Sequence, residues 1–337
     1  MKDIIIVGRG LAGATLSFQL LAKGIKHHIV DQPSLSSSSK VAAGLVNPIV
    51  LKRLKMVQGA DEFMTHIPDF YQTKEVLTGF KFYHESTIHH IFANAGEINL
   101  WEEKKDNVFH SQFLKGLAKN TNPNLLAPHG LGVIEGIGWL DTQSFLNAHK
   151  AFCNNNSILI TETPFPKNDL STLAESGQVI ILCNGHLLKD WEVLPENTFT
   201  PTRGEVMTIE TDGLSENNIL HSSIFAIPLG KKQFKIGATY HWDKLNDMPT
   251  GDGIERLKTD LEKIYSGKYE VINHQAGVRP NTKDRKPIIG KLKDNVMVFN
   301  GMGSRAALMA PQLSNTFLDY LTTGNPLPAA YNIDRFL

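Results

Sequence analysis

The sequence predicts an α/β fold in which a discontinuous Rossmann-like domain is interrupted by an antiparallel-sheet α+β domain. An apolar run at residues 4–7 passes directly into glycines spaced G-x-G-x-x-G and then into an apolar helix, as at the start of a Rossmann-like sheet. A second strand, glycine turn and helix follow one another at residues 296–321. Short alternating runs between them are typical of antiparallel strands. We therefore expect 1–79, 140–200 and 270–337 to form the Rossmann-like domain, and 80–139 and 201–269 the inserted domain.

The first glycine turn has a physical requirement at each of its three glycines. Gly8 allows the tight turn from strand to helix, Gly10 lets the backbone approach a pyrophosphate, and Gly13 lets helix and strand pack closely. The pyrophosphate would lie at the helix N-terminus, against the backbone of Leu11 and Ala12. Because strand, glycines and helix occur together, the sequence predicts an adenine dinucleotide site and not an ordinary glycine-rich turn.

The segment after this helix supports the same prediction. A second strand at 27–30 ends at Asp31, where the fold places the acid that accepts a ribose hydroxyl, with Gln32 beside it. We expect the serines at 34–38 to form a flexible loop. The small residues at 42–44 would then let a flat group such as a flavin ring come close to the backbone.

The remaining elements follow from hydrophobic periodicity and turn residues. Helices are predicted at 61–79, 141–152, 252–265 and up to about 321, and strands at 80–83, 88–92, 132–134, 157–160, 179–182, 205–209, 224–227, 233–240 and 296–299. The apolar strand at 179–182 ends in a glycine turn and so belongs to the Rossmann-like domain.

Composition limits the classes of function. Lys plus Arg and Asp plus Glu both number 34, so the net charge of zero gives no electrostatic signature for nucleic acid or for an anionic membrane. Cys153 and Cys183 are the only cysteines and have no metal-ligand or disulfide spacing, and the histidines between 84 and 110 lack the pairing of a metal site. No run reaches transmembrane length. We expect a cytoplasmic protein without a bound metal and without a membrane partner.

The second strand, glycine and helix unit indicates which dinucleotide binds. A nicotinamide enzyme of this size needs only the first unit, whereas a flavin dinucleotide is longer. A second helix N-terminus can stabilise negative charge on the reduced flavin ring. The two units together favour FAD.

Four motifs resemble those of the FAD-dependent D-amino-acid oxidase superfamily. They are Gly8-x-Gly10-x-x-Gly13, residues 39–44, Gly277-x-Arg279-Pro280-x-Thr282-x-Asp284-x-x-Pro287-x-x-Gly290, and the closing 301–311. Residues 201–205 and 236–239 extend the resemblance through the middle of the chain. Within the superfamily the chain looks most like glycine oxidase, monomeric sarcosine oxidase and the oxidase half of the bifunctional enzyme that trims carboxymethylaminomethyl-uridine in tRNA.

The resemblance implies a set of FAD contacts along the chain. It places the flavin against Ser39, Lys40, Ala43, Gly44, Leu45, Cys183, Asn184, Gly185, Gly301, Met302, Gly303, Ser304, Arg305, Ala306 and Ala307, and the adenine side near Phe165. Covalent members of the superfamily attach the flavin through a cysteine or histidine near the C-terminal motif. Neither residue occurs between His274 and Leu337, so we expect non-covalent FAD.

The resemblance also implies the reaction. Superfamily members transfer a hydride from the carbon that bears nitrogen to flavin N5, the imine then hydrolyses, and dioxygen usually reoxidises the flavin. Arg279 matches the arginine that binds the substrate carboxylate. Independently of the resemblance, Pro280 biases Arg279 to an extended backbone, and a guanidinium can grip a carboxylate bidentately. The alternative is that Arg279 pairs with a structural acid.

Two departures bear on the substrate. Glycine-oxidase-like members often carry a second arginine in the closing turn and a tyrosine on a middle strand, where this chain has Ser304 and Phe225. Gly303-Ser304-Arg305 instead matches the tRNA-modifying oxidase, although Ala306 replaces its glycine. Plain glycine is therefore disfavoured relative to an N-substituted glycine or a larger amine.

Three classes of function remain open from the sequence. The first is an FAD oxidase or dehydrogenase acting on a small amine or amino acid, with dioxygen as acceptor, and the neutral charge favours it. The second is a tRNA-modifying enzyme, and the third is a flavoprotein without catalytic activity. Arg279, Lys235 and Arg305 are the candidate catalytic residues. Lys235 matches the region where sarcosine oxidase keeps a lysine over its flavin, and the alternative is a lysine on a solvated sheet face.

Overall fold

The computed structural model describes residues 3–32, 37–242 and 245–337. The strands are β1 (Ile4–Val7), β2 (His27–Val30), β3 (Leu45–Val46), β4 (Ile49–Val50), β5 (Lys55–Met56), β6 (Tyr83–Ile91), β7 (Leu114–Ala118), β8 (Leu131–Leu140), β9 (Ile160–Thr161), β10 (Val179–Leu182), β11 (Thr202–Glu210), β12 (Ile219–His221), β13 (Phe225–Gly230), β14 (Gln233–Gly237), β15 (Glu270–Arg279), β16 (Ile288–Lys293) and β17 (Val296–Asn300). The α-helices are α1 (Leu11–Ala22), α2 (Ser38–Val41), α3 (Ala60–Thr78), α4 (Ala95–Lys105), α5 (Thr142–Asn155), α6 (Leu170–Glu175), α7 (Gly251–Glu262) and α8 (Ala306–Thr323). Short 3₁₀ turns lie at Leu51–Arg53, Lys167–Asp169, Gly185–Trp191, Glu196–Thr198 and Ile333–Arg335.

The first sheet has the order β16-β17-β10-β1-β2-β9. Its strands are parallel except for the edge strand β16, and both faces are covered, as the apolar runs of β1 and β10 require. Helix α1 packs against this sheet and against α8, so it is buried around most of its circumference. Helix α1, near the start of the chain, and helix α8, near its end, therefore pack against each other, while β1 and β17 lie on either side of β10.

The second sheet has the order β15-β11-β14-β13-β12-β6-β8-β3, with β7 paired to β8. It is antiparallel apart from the β6–β12 pair. Leu257 and Leu261 of α7 cover one part of it, and Trp101 of α4 covers another. The predicted mixed α/β fold, with one parallel and one antiparallel sheet, is confirmed.

Several boundaries differ from the predicted ones for local reasons. The strand predicted at 157–160 begins only at Ile160, because Ser157 has a φ of 55° and Ile158 N–H still bonds to the end of α5. Ser38, which was predicted to be in the flexible loop, begins α2 with Ser37 as its N-cap, whereas 34–36 of the predicted loop lie outside the described residues. Strands β3 and β15 join the second sheet although their segments were assigned to the Rossmann-like domain. The domain division itself stays a prediction.

None of the helices in the described ranges is both long enough and apolar enough to span a bilayer.

A buried ion cluster lies where β11 meets β15. The Glu205 carboxylate is fully buried, pairs with the Arg203 guanidinium and lies 2.9 Å from His274 Nε2. Thr250 N–H and Oγ1 donate to the same carboxylate at 2.9 and 2.8 Å. Every charge here has a partner, which is what a buried ion pair requires.

Glu205→Gln should lower the free energy of unfolding by about 3–5 kcal/mol, because it leaves Arg203 buried without a counter-charge. Denaturant unfolding of the FAD-loaded protein measures this. Glu210→Gln, at the exposed end of the same strand, is the matched control and should stay within about 0.5 kcal/mol of wild type. Equal stability of the two variants would show that the cluster does not depend on the Glu205 charge.

Candidate active site

A cavity of about 1320 Å³ lies between the carboxyl ends of β1, β10 and β17 and the second sheet. Ligands bind at this edge of open α/β sheets. Gly13 is the one cofactor-contacting residue predicted from the sequence that does not line the cavity. The others all line it: Gly8, Gly10, Leu11, Ala12, Asp31, Gln32, Ser39, Lys40, Ala43, Gly44, Leu45, Phe165, Cys183, Asn184, Gly185, Arg279, Gly301, Met302, Gly303, Ser304, Arg305, Ala306 and Ala307. The structure thus brings together segments from the whole length of the chain.

The first glycine turn has the geometry that its spacing predicts. Gly8 has a φ of 100°, and a Cβ there would lie 2.7 Å from the Cys183 carbonyl oxygen. A Cβ on Gly13 would collide with the carbonyl oxygen of Gly8. Gly13 therefore allows α1 to pack closely against the turn, and it does not face the cavity. Next to Gly10, Ser39 Oγ accepts the N–H of Leu11 at 3.0 Å. The first turn of α1 is therefore held directly against α2.

Asp31 is fixed by the same turn. Its Oδ1 accepts the N–H of Arg9 at 2.7 Å, and Arg9 in turn donates to the Leu146 carbonyl at 2.8 Å. The carboxylate faces the cavity, where it can accept a hydroxyl. Further along, Phe165 stacks on Trp191, with ring centroids 5.7 Å apart, and both line the cavity. Trp191 is not among the residues predicted from the sequence, since no motif surrounds it.

The residues present fit a flavin dinucleotide. Within the described chain, both polar atoms of the Asn184 side-chain amide are buried without a hydrogen-bond partner, although Asn184 lines the cavity. Buried amides are normally satisfied, so a polar ligand would complete this site. Helix α8 also begins here without a side-chain cap, which leaves its first N–H groups for a ligand.

Arg279 ends β15 and lies in the cavity wall. Its Cζ is 4.2 Å from the centroid of the Tyr240 ring, and both terminal nitrogens donate to the Thr239 carbonyl at 3.3 Å. A Cβ on Gly204 would collide with the guanidinium, so Gly204 makes the space for it. Within the described part of the chain, Arg279 forms no salt bridge with Asp or Glu. The alternative of a structural ion pair therefore has no acid among these residues to support it.

Burial lowers the pKa of Arg279, opposed by Tyr240 and assisted by Arg285. A guanidinium nevertheless stays protonated in proteins. It carries more N–H donors than the two bonds to Thr239 use, so it can still bind an anion. Arg279 is thus a desolvated cation, stacked on one aromatic ring and facing an open cavity.

The two departures noted in the sequence also lie at this wall. Ser304 and Phe225 line the cavity together with Tyr240 and Arg305. Sequence alternation along 233–240 would place Tyr240 on the core face with Phe234. However, β14 ends at Gly237, the alternation stops there, and Tyr240 is half exposed. Because of this change of direction, the sequence pattern does not predict Tyr240 as a cavity residue.

Lys235 lies behind the cavity wall. Its Nζ donates to the carbonyl of Ala42 at 3.1 Å, and Ala42 lines the cavity where a flavin ring is expected. Burial lowers the pKa of Lys235, with Asp141 opposing this effect. Lys235 is therefore not on a solvated sheet face, which removes that alternative, but it does not itself line the cavity.

The far wall carries two histidines on neighbouring strands. His90 Nδ1 and His221 Nδ1 are 3.2 Å apart, and Glu97 lies 3.7 Å from His90. Burial, together with the neighbouring His90, lowers the pKa of His221 to about 3, so both rings are neutral near pH 7. In residues 3–32, 37–242 and 245–337, no three His, Cys, Asp or Glu side chains form a metal-ion cluster.

Known proteins resemble this chain in sequence and in structure. Glycine oxidase of Bacillus licheniformis is 28% identical over 47% of this chain and 44% of its own length. The tRNA 5-methylaminomethyl-2-thiouridine biosynthesis bifunctional protein MnmC of Leptospira interrogans is 23% identical over 100% of this chain and 60% of its own length. The chain thus spans about half the length of these curated relatives.

The fold has a close match among solved structures. Glycine oxidase from Geobacillus kaustophilus superimposes with a TM-score of 0.81 at 16% identity, covering 100% of this chain and 98% of that one. The profile of the family described as FAD dependent oxidoreductase (DAO) matches residues 3–315. The match contains both glycine turns and the arginine of the cavity wall, and the chain therefore belongs to the DAO family of FAD-dependent oxidoreductases.

Proposed function

We propose that this enzyme oxidises the C–N bond of an amine that carries a carboxylate, either an amino acid or an N-substituted glycine. The observation that carries this proposal is the Arg279 guanidinium, which faces the cavity without an acid partner among the described residues. A cation held in this way is expected to bind an anionic part of the substrate.

The described side chains support distinct parts of this activity. Arg279 would bind the carboxylate, while Tyr240 and the Thr239 carbonyl fix the plane of its guanidinium. Phe225 offers an apolar surface on the same wall, which would exclude water from the reacting carbon. FAD, when bound, supplies the two-electron acceptor. Residues 8–12, 39–45, 183–185 and 301–307 are the proposed FAD contacts, with Asp31 and Gln32 at the ribose.

An N-substituted glycine suits this wall better than glycine does. Ser304 and Phe225 stand where glycine-oxidase-like proteins often carry a second arginine and a tyrosine for the carboxylate. The wall therefore has fewer side chains that can bind a single substrate carboxylate. At about 1320 Å³ the cavity is also larger than the usual 300–1000 Å³ of a ligand pocket, in keeping with a long cofactor plus a substrate.

A second candidate is a tRNA-modifying activity on a carboxymethylaminomethyl-uridine side chain, which itself ends in a glycine unit. The observation favouring it is that the Leptospira MnmC protein aligns with the whole of this chain. Gly303-Ser304-Arg305 in the cavity wall also follows that pattern. The net charge of zero favours the small-molecule candidate over this one.

Anaerobic flavin bleaching separates the two candidates. The FAD-loaded enzyme is mixed with amino acids, N-methyl and N-carboxymethyl amines, and bulk tRNA, and loss of flavin absorbance is followed. We expect rapid bleaching by an N-substituted glycine. Bleaching by tRNA alone would replace the first candidate with the second, and no bleaching by any carboxylate-bearing amine would overturn the first. Subsequent admission of air tests whether dioxygen is the acceptor.

We predict that the FAD is held without a covalent bond. No histidine or cysteine occurs in residues 275–337, and burial raises the pKa of the Cys183 thiol in the cavity wall, which disfavours the reactive thiolate. Acid precipitation should therefore release all of the flavin into the supernatant. Yellow colour that stays with the precipitated protein after washing in denaturant would contradict this.

A further inference from the structure

A second, smaller cavity adjoins the first beside Tyr240. It has a volume of about 210 Å³ and shares Tyr240 and residues 301–305 with the larger cavity. Asn281, Arg285 and Arg305 contribute polar groups to its lining. The small cavity is therefore a polar extension of the site in which Arg279 lies.

Arg305 and the exposed Arg285 line this extension, and Arg279 lines the adjoining large cavity. Burial lowers the pKa of Arg279 and the pKa of Arg305. Tyr240 raises both pKa values and Arg285 lowers them further, so both arginines lie close enough to these two residues to interact electrostatically. Within the described chain none of the three arginines forms a salt bridge. Like charges that lie close together repel one another, and an anion bound between them would offset this repulsion.

The nearest acid in sequence does not neutralise this cluster. Asp284 accepts from Arg335 Nε at 2.8 Å and from the N–H of Lys286 at 3.1 Å, so its carboxylate is already engaged. Arg285 itself has a φ of 61°, a left-handed conformation that is uncommon outside glycine, and its N–H bonds to the Thr282 carbonyl at 3.1 Å. The turn thus holds Arg285 at the small cavity at some conformational cost, as is common at ligand sites.

We propose that the small cavity binds a second oxyanion of the substrate, so that the substrate is an N-substituted glycine whose N-substituent ends in a carboxylate or a phosphate. This deepens the proposed function and rests on it. Arg279 holds the glycine carboxylate, and Arg285 with Arg305 holds the distal anion. Asn281 and Ser304 supply neutral polar groups in the same lining.

Calorimetry of the FAD-loaded enzyme with inert ligands tests this binding without turnover. The ligands carry sulfur in place of the amine nitrogen: (isobutylthio)acetate, thiodiacetate, (2-carboxyethylthio)acetate and (phosphonomethylthio)acetate. The first two have equal numbers of heavy atoms but one and two carboxylates. We expect at least one ligand with a second acid to bind about ten- to a hundredfold more tightly than (isobutylthio)acetate. The carboxylate and phosphonate ligands show which anion is preferred.

Variants locate the second anion. Arg285→Gln and Arg305→Gln should each reduce that affinity ratio towards one, with flavin absorbance confirming that the enzyme is loaded. Lys283 is an exposed residue of the same turn and lines neither cavity. Lys283→Gln is therefore the control and should keep the wild-type affinity ratio. An unchanged ratio in both arginine variants would overturn the proposal, as would equal affinity of all four ligands for the wild type.

The outcomes distinguish the proposal from the function on which it rests. If (isobutylthio)acetate binds, loses affinity in Arg279→Lys, and gains nothing from a second acid, only the distal anion site is wrong. If no ligand binds and no carboxylate-bearing amine bleaches the flavin, the proposed function itself fails.

Discussion

Arg279→Lys should raise the apparent KM for the substrate by about a hundredfold while leaving the FAD content near that of wild type. Lysine keeps the charge but loses the planar fork that grips a carboxylate, and it cannot stack on Tyr240 in the same way. A charge-assisted hydrogen bond contributes about 1.5–3 kcal/mol, which corresponds to roughly ten- to a hundredfold in binding. Steady-state kinetics with the substrate found by flavin bleaching gives the measurement.

Arg256→Lys is the matched control for this substitution. Arg256 lies on α7 and pairs with Asp260 at 2.7 Å, away from the cavity. The KM of the Arg256→Lys variant should equal that of wild type. If Arg279→Lys instead loses FAD or unfolds at a much lower denaturant concentration, Arg279 has a structural role and its assignment to the substrate is wrong.

Lys235→Met should slow the reaction of the reduced enzyme with dioxygen by about two to three orders of magnitude, with little change in anaerobic reduction by substrate. Transfer of the first electron to dioxygen makes superoxide, and a fixed cation in a dry site stabilises that anion as it forms. Lys235 is such a cation, held against the Ala42 carbonyl behind the expected flavin position. Stopped-flow mixing of reduced enzyme with oxygenated buffer measures the rate.

The pH dependence gives a second check on Lys235. Because burial lowers its pKa, the charged form is lost on the alkaline side at a pH below 10.5. In wild type the rate of reaction with dioxygen should fall as the pH rises through the lowered pKa of Lys235. Lys235→Met should show no such fall. Lys232→Met, in the exposed turn before the same strand, is the control and should react like wild type. An unchanged rate in Lys235→Met would remove the lysine from the proposal, and slow reoxidation of the wild type would make the protein a dehydrogenase.

The parts of the site that the sequence predicted are those fixed by neighbouring residues. Gly8, Gly10 and Gly13 act within one turn, and Asp31 follows at the end of the next strand, so spacing alone locates them. The resemblance extended this to 183–185 and 301–307, because each of these segments is again a strand followed directly by a glycine turn. A local motif can be recognised without knowing what lies opposite it.

What the sequence did not predict depends on contacts between distant segments. Lys235 and Ala42 are 193 residues apart, and no pattern near either of them indicates the bond that takes the lysine out of solvent. The stacking of Arg279 on Tyr240 requires β14 to end at Gly237 and the chain to turn there. The convergence of Arg285 and Arg305 likewise follows from how two separate turns meet. Only the packing of the two sheets determines these distances.

The packing of α8 against α1, with β17 next to β10 in the first sheet, has a consequence for biosynthesis. A nascent chain emerging from the ribosome can form the first strand, turn and helix early, but another part of the cavity wall comes from residues 300–307. The cofactor can therefore be enclosed only after almost the whole sequence up to α8 has left the exit tunnel. Until then Ile5, Val7 and Leu182 lack the β17 side chains that bury them, so the emerging polypeptide exposes an apolar surface that chaperones would recognise.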